Sequence, residues 1–393
     1  GSLAVSVGTG VVASVANLLI LGGVIASGES APSRGVQLLW AAGFLVTGGL
    51  VAGLGGVLGG GGEPGPNRTA GAWVSPFAWT AAVATFLLLV IGGVVTSEEA
   101  GLAVPDWPNS FGSNMFLYPI SRMIAQNDVY FEHTHRLFGS LVGLVVLTFT
   151  VFSWASSGRR WFSMAVTLAL LMVVFQGVLG GMRVEQADLW QGEVSGWKRS
   201  MKDAFDALGL DATRLRVFHG VFGQVFFAWL LAIAAFASST WRDRPLHHRL
   251  GAVDRWMTAG FVICLLIQLV LGALTRHVSR ESFIFAHLGF AFAVAGYGLF
   301  VALRRLVTAR DVDALRRLAA ILGFAMLGQI ALGFGAYALT SGEETTMATL
   351  VATSHQGCGA IILGLAAFDA SLVFRLTAAR NSPSKALSTA IPD

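Results

Sequence analysis

The sequence predicts an all-α, polytopic membrane protein, and its composition, its apolar blocks and its internal repeats support that class. Of the 393 residues, 54% are hydrophobic and only 12% are charged, whereas a soluble domain usually carries about 25% charged residues. The apolar residues fall into blocks of about 20 residues, the length that a helix needs to cross a bilayer core. The composition therefore excludes a chain built of soluble domains.

Ten apolar blocks predict ten membrane-spanning helices. The first two carry no ionisable residue in their interiors, and a stretch rich in glycine and proline, residues 59–66, separates them from the rest. We interpret these two as extra N-terminal transmembrane helices that form an appended hairpin. The predicted spans are 5–27, 36–60, 75–97, 131–155, 161–181, 215–238, 255–274, 282–303, 315–338 and 347–373.

Basic residues are concentrated in four short segments, and their distribution predicts the topology. The formal net charge of +4 would by itself suit a nucleic-acid partner. However, 14 of the 26 Lys and Arg residues lie in segments that alternate with the spans, as expected for loops on the cytoplasmic or matrix side. We therefore expect both termini on that side and no nucleic-acid partner. The segments contain Arg159 and Arg160; Arg242, Arg244, Arg249 and Arg255; Arg304, Arg305, Arg310, Arg316 and Arg317; and Arg375, Arg380 and Lys385.

Two short patterns repeat along the chain and divide it into halves. Four histidines near the starts of four spans share the pattern H-x-x-[F/C]-[G/A], and three intervening spans share Q-x-x-L-G. A duplication in tandem explains both repeats, so we expect an eight-helix core of two four-helix bundles. The predicted parts are the hairpin (1–66), the first half (67–240) and the second half (241–393). The repeated residues are His135, His219, His287 and His355, with Gln176, Gln268 and Gln329.

The histidine pattern indicates haem ligation. A histidine and a small residue four positions later lie on one helix face, so the small residue leaves room for a flat group. Two such helices on opposite sides of a bundle present two facing imidazoles, which can be the axial ligands of a haem iron. Four histidines therefore predict two haem sites, one in each half. The plainer alternative is a histidine hydrogen-bonded between helices, although polar residues in a bilayer are costly and often functional.

Other residues surround these predicted sites. Cys358 stands three residues after His355, where all three other repeats have phenylalanine. Arg136 and Arg216 lie near the same helix ends as the histidines and suit the carboxylates of haem propionates. Interfacial anchoring of the two arginines is the alternative.

The two halves differ at one informative position. Glu132 stands three residues before His135, whereas Arg216, Ile284 and Ala352 stand before the other three histidines. A carboxylic acid next to a ligand can exchange protons, so we interpret the first half as catalytic and the second as holding a fixed cofactor. The alternative is an i,i+4 salt bridge from Glu132 to Arg136 that stabilises the helix start. His133 points about 160° away from His135 around the helix and is at most an auxiliary group.

The segment Glu132-His133-Thr134-His135-Arg136, with Pro105-Asp106-Trp107-Pro108 upstream, resembles the haem A synthase family. That family has an eight-helix core of two similar four-helix halves and an E-x-x-H-R motif, and its later helix histidines match His219, His287 and His355. The resemblance covers roughly residues 75–373.

The resemblance implies an oxidoreductase of haem A biosynthesis, used in cytochrome oxidase assembly. Its substrate is haem O, whose C8 methyl group is oxidised to a formyl group by successive hydroxylation. It implies that His135 and His219 hold the substrate with help from Glu132, and that His287 and His355 ligate the iron of a haem b cofactor. Membrane lipid, haem O synthase and an unidentified electron donor such as a quinol are the implied partners. The implied location is the bacterial cytoplasmic membrane or the mitochondrial inner membrane.

The chain departs from the family pattern in its outer segments. Many members carry two cysteines in the first outer loop, near the places of Val104 and Ser110 here, while Cys264 and Cys358 lie inside apolar blocks. A loop disulfide or thiol-dependent step is therefore not expected. Residues 182–214 are longer than the family pattern suggests and predict an amphipathic helix on the membrane surface.

Two other classes of protein remain open from the residues alone. A dihaem electron-transfer cytochrome that oxidises quinol would also use two pairs of histidines, but it gives no reason for Glu132 in one half only. A haem or small-molecule transporter would have broken helices and polar groups near the bilayer midplane, whereas the repeated histidines lie near helix ends.

Overall fold

The computed structural model describes residues 70–189, 211–243, 250–278, 280–340 and 345–380, with a few isolated positions elsewhere. Eight of the described helices are long and apolar enough to cross a membrane, so the predicted class, an all-α polytopic membrane protein, is confirmed. These helices are α1 (Val74–Ser97), α2 (Asn127–Ser156), α3 (Arg160–Leu189), α4 (Ala212–Ala237), α5 (Ala252–His277), α6 (Glu281–Thr308), α7 (Asp313–Thr340) and α8 (Thr346–Arg380).

The eight helices coincide with the last eight predicted spans, and most extend past the apolar block at one or both ends. Helix α2, for example, begins at Asn127 rather than at the predicted residue 131, because polar residues continue a helix beyond the bilayer core. The predicted spans 5–27 and 36–60 lie outside the described residues. So does most of the predicted surface helix in 182–214.

Local hydrogen bonds define several helix starts. The Asp211 carboxylate accepts from the backbone N–H of Arg214 at 2.7 Å at the start of α4. The Asp254 carboxylate accepts from the Gly251 N–H at 2.9 Å at the start of α5. The Thr345 hydroxyl accepts from the Ala348 N–H at 3.2 Å before α8. Each side chain satisfies a backbone donor that has no partner within its own helix.

The chain divides into two compact units, one containing residues 99–137 of the described chain and the other containing Trp73–Glu98 and everything from Phe138 onward. In the first, a two-stranded hairpin, β1 (Asn109–Ser110) with β2 (Ser113–Asn114), is followed by a short helix, Ile120–Met123, and by the start of α2. The second unit contains the remaining helices.

Helices α4 and α8 form the centre of the second unit. In the most apolar 18-residue stretch of each of these two helices, 67% and 50% of the residues are buried, against 17–33% in the other spans. The outer faces of those other spans are left for lipid. Gly364 of α8 allows close approach, since a Cβ there would lie 3.0 Å from the Phe227 ring of α4. Helices α5, α6, α7 and α8 form a closed ring of neighbours. Helix α1 packs against both central helices.

A buried ion cluster, Asp254, Arg305 and Asp369, joins α5, α6 and α8. The Arg305 guanidinium donates to both Asp369 carboxylate oxygens at 3.0 Å and to Asp254 at 3.4 Å. Arg304 also donates to Asp254 at 3.0 Å, and the Thr258 hydroxyl donates to Asp369 at 2.7 Å. The three ionic side chains are at most 5% exposed, so each depends on the others for compensation of its charge.

Replacement of Arg305 by methionine should strongly destabilise the second unit, because it leaves the Asp369 carboxylate buried without its cation. The expected loss is about 3–5 kcal/mol of unfolding free energy, measured by denaturant titration in mixed micelles. Arg316→Met is the matched control, since Arg316 pairs with Asp313 at an exposed site and such pairs contribute about 1 kcal/mol or less. Equal effects of the two substitutions would contradict a stabilising role for the cluster.

Candidate functional site

His219 on α4 is held by the repeated motif of the preceding span. The Gln176 side-chain amide on α3 donates to the His219 backbone carbonyl at 2.9 Å. Gly180, one helical turn further along α3, lies against the imidazole: a Cβ there would be 3.2 Å from Cε1 of His219. The glutamine therefore connects the two helices, and the glycine leaves the space that the ring occupies.

The same arrangement recurs at His287 and His355. The Gln268 amide donates to the His287 carbonyl at 3.0 Å and lies 3.1 Å from its Nδ1, while the Gln329 amide lies 3.4 Å from Nε2 of His355. Cβ atoms added at the motif glycines, Gly272 and Gly333, would lie 3.0 Å from Cε1 of the respective imidazoles. The Q-x-x-L-G pattern thus positions three of the four histidines. The sequence alone does not reveal this role.

The small residues that follow the histidines have a different function from the one expected. Cβ atoms at Gly223 and Gly359 would lie 3.1 and 3.2 Å from the side-chain nitrogens of Gln176 and Gln329. At these two positions the small residue makes room for the glutamine of the neighbouring helix. At Gly139 no described atom lies within 4 Å of an added Cβ, so the expected space for a flat group remains at that position.

His287 and His355 lie close together in the second unit. Their ring centroids are 6.3 Å apart and their planes cross at 84°. This separation fits two imidazoles on one metal ion, because metal–imidazole bonds are about 2.0–2.1 Å long and each ring centre lies about 1.1 Å behind its nitrogen. In addition, Nδ1 of His355 is buried without a hydrogen-bond partner among the described residues. The pair therefore fits axial ligation of a haem.

Metal-binding side chains in the described part of the chain do not gather in larger groups. No set of three or more His, Cys, Asp or Glu side chains there could hold one ion. A structural or catalytic zinc site needs at least three such ligands, whereas a haem needs two axial ones. The predicted pairing of His135 with His219 stays a prediction, since these residues belong to different units.

Glu132 and Arg136 form the i,i+4 salt bridge that the sequence offered as the alternative interpretation. Both side chains also bind the preceding loop. One Glu132 carboxylate oxygen accepts from Arg136 at 2.6 Å, and the other accepts from the Val104 N–H at 2.8 Å. The Arg136 guanidinium also donates to the backbone carbonyls of Val104 and Asp106 at 2.8 and 2.6 Å. Glu132 is only 4% exposed. Both its oxygens are thus occupied in this structure.

His133, next to Glu132 in α2, also contacts the loop. Its Nδ1 lies 3.2 Å from the Ser110 hydroxyl, and its ring lies 5.3 Å from that of Tyr118. Asp106, of the proline-flanked motif, accepts from the backbone N–H groups of Phe111 and Gly112 and so closes the hairpin turn. The loop that precedes α2 is therefore fixed by polar contacts from Glu132, His133 and Arg136.

The other predicted cofactor contacts have local partners. Arg216 is exposed and donates to the Thr213 hydroxyl at 3.3 Å. The Cys358 thiol donates to the Ala325 carbonyl of α7 at 3.5 Å. Their proximity to a bound haem stays a prediction.

The family model described as cytochrome oxidase assembly protein (COX15-CtaA) matches residues 75–282 of this chain. Heme A synthase of Beijerinckia indica is 25% identical over 226 residues, which cover 51% of this chain and 57% of that protein. Heme A synthase of Lysinibacillus sphaericus is 32% identical over 120 residues, or 30% and 36% of the two chains. Protoheme IX farnesyltransferase of Halobacterium salinarum is 30% identical over 114 residues, or 29% and 23%. This chain thus spans no more than 57% of the length of any of these three.

Glu132→Ala should loosen the loop before α2, because it removes the acceptor of the Val104 N–H and the partner of Arg136. Loss of a hydrogen bond to a charged group costs about 1.5–3 kcal/mol, so amide exchange at Val104 should accelerate about tenfold to a hundredfold. Hydrogen exchange with mass spectrometry measures this. Asp128→Ala, an exposed carboxylate one turn earlier on α2, is the control and should leave the exchange unchanged.

Proposed function

We propose that this chain, which belongs to the cytochrome oxidase assembly protein family, is a haem A synthase that oxidises the C8 methyl group of haem O to a formyl group. The observation that carries the proposal is the facing pair His287 and His355, 6.3 Å apart and nearly perpendicular. Relatives named heme A synthase support the substrate and the reaction.

In this proposal the second half holds haem b. His287 and His355 would hold its iron, and Gln268 and Gln329 keep the two helices in register through contacts with those histidines. Gly272 and Gly333 keep the ring positions free of side-chain atoms. When bound, haem b supplies one-electron transfer.

The first half then binds the substrate, with His135 and His219 as the ligands of haem O and Glu132 beside His135. The Glu132 carboxylate accepts hydrogen bonds from Val104 and Arg136, one on each oxygen. Each oxygen keeps a second lone pair, so the carboxylate can take up a proton while both contacts hold it in place.

The partners follow from the same proposal. Haem O synthase would supply the substrate, and the similarity to a relative named protoheme IX farnesyltransferase supports that connection. A membrane quinol is the proposed electron donor. The location is a membrane that also contains cytochrome oxidase, with the basic loops and both termini on its inner side.

Gly333→Ala should weaken haem binding in the second half, because the added methyl group would displace the His355 ring. A change behind a metal ligand typically costs about 10- to 100-fold in affinity, measured by titration of the purified protein with haem b and by its visible spectrum. Gly328→Ala is the control on the same helix, since no described atom lies within 4 Å of its added Cβ. Equal haem binding by the two variants would contradict the assignment of His355.

Conversion of haem O should fall in Glu132→Ala while the haem b content is retained. The purified protein is supplied with haem O and a reductant in the presence of air, and every haem is extracted and identified by chromatography and mass spectrometry. The wild type should yield haem A or a hydroxylated intermediate, and Asp128→Ala should match it. Two haem b per chain with no conversion by the wild type would instead favour the electron-transfer cytochrome. Unchanged conversion by Glu132→Ala would remove that residue from the mechanism.

A further inference from the structure

A cavity of about 640 Å³ in the second unit lies at the end of the helices opposite to the histidines. In α8, 20 residues separate His355 from Arg375, which lines the cavity. That distance is about 30 Å along a helix axis, roughly the thickness of a bilayer core. The cavity therefore lies at the other membrane boundary and is distinct from the proposed haem sites.

Three arginines from three separate segments line this cavity: Arg159, Arg242 and Arg375. The Arg159 guanidinium lies 5.3 Å from the centre of the Trp161 ring and donates to the Phe236 carbonyl at 3.1 Å. The Arg375 guanidinium lies 5.0 Å from the Trp241 ring and donates to the Trp241 carbonyl at 3.3 Å. Stacking and hydrogen bonds thus fix two of the cations in defined positions.

None of the described residues that line this cavity has an acidic side chain. Burial, followed by repulsion from Arg242 and Arg375, holds the pKa of Arg159 below its ordinary value, although an arginine stays protonated at neutral pH. An anion placed among the three cations would relieve this repulsion.

The aromatic side chains that line the cavity provide a hydrogen-bond donor and an apolar surface. The indole Nε1 of Trp241 is buried, and it has no hydrogen-bond partner in the part of the chain that the structure describes. Phe236 packs against Trp241 with ring centroids 4.7 Å apart. Trp161, which is 44% exposed, extends the wall to the outer surface of α3, and tryptophan is typical of membrane boundaries.

We propose that this cavity binds the phosphate group of an anionic phospholipid. The three arginines and the Trp241 N–H face the phosphate, while Trp161 and Phe236 contact the glycerol and the first carbons of the acyl chains. Basic pockets between transmembrane helices bind anionic lipid head groups in this way. The lipid would bridge α3, the segment after α4, and α8, which are distant in sequence.

Native mass spectrometry of the full chain in detergent tests this proposal by titration with phosphatidylglycerol and with phosphatidylcholine. We expect one molecule of phosphatidylglycerol to bind with clear preference. The double variant Arg159→Gln, Arg242→Gln should bind it about 25-fold more weakly, at about five-fold for each arginine. Arg310→Gln, an exposed residue at the same end of the helices, should behave as the wild type.

Two further measurements separate the sources of phosphate and guard against misfolding. Inorganic phosphate at millimolar concentration should not displace the lipid; displacement would assign the cavity to a soluble phosphate compound and overturn the lipid proposal. Trp241→Phe keeps the aromatic packing but removes the N–H donor, so it should weaken binding while leaving the thermal stability without lipid unchanged. Equal binding of the two lipids, or full affinity in the double arginine variant, would also overturn the proposal.

Discussion

A glutamine side chain that donates to the helix carrying the next histidine is the interaction on which the candidate sites depend. Inside a bilayer there is little hydrophobic driving force between helices, so close packing and interhelical hydrogen bonds hold them together. The Gln176 and Gln268 amides donate to the carbonyls of His219 and His287. The glycine one turn later lets each imidazole lie against the helix backbone. The contacts that join the helices are therefore the same contacts that orient the histidines.

The second unit has different chemistry at its two ends. The histidines and their glutamines are near one end. Near the other end, Arg305 is fully compensated by Asp254 and Asp369, whereas Arg159 lies beside other cations. A cluster of opposite charges fixes helices to one another, whereas a group of neighbouring cations suits an external anion. The two arginine sites differ in function because of their neighbours.

The sequence predicted the structure best where a single property of the chain determines it. Apolar block length placed eight spans within a few residues, and the repeated histidines identified the helix ends at which a pair converges. The role of Gln268 could not be predicted, because its partner, the His287 carbonyl, lies on another helix and is not part of the repeated motif. For Glu132 the sequence allows both a catalytic role and a salt bridge to Arg136. Only the position of the Val104 N–H shows how the second carboxylate oxygen is used. Asp369 gave no signal, since its cation is 64 residues away in sequence.

The ion cluster also has a consequence for the order in which the chain is made. Arg304 and Arg305 follow Asp254 during synthesis, so the newly inserted hairpin of α5 and α6 holds two cations and one carboxylate in this cluster. The compensating carboxylate, Asp369, belongs to the last helix. Until that helix leaves the ribosome and packs, Arg305 lacks its principal partner. The ion cluster of the second unit is therefore completed only when its final span is inserted.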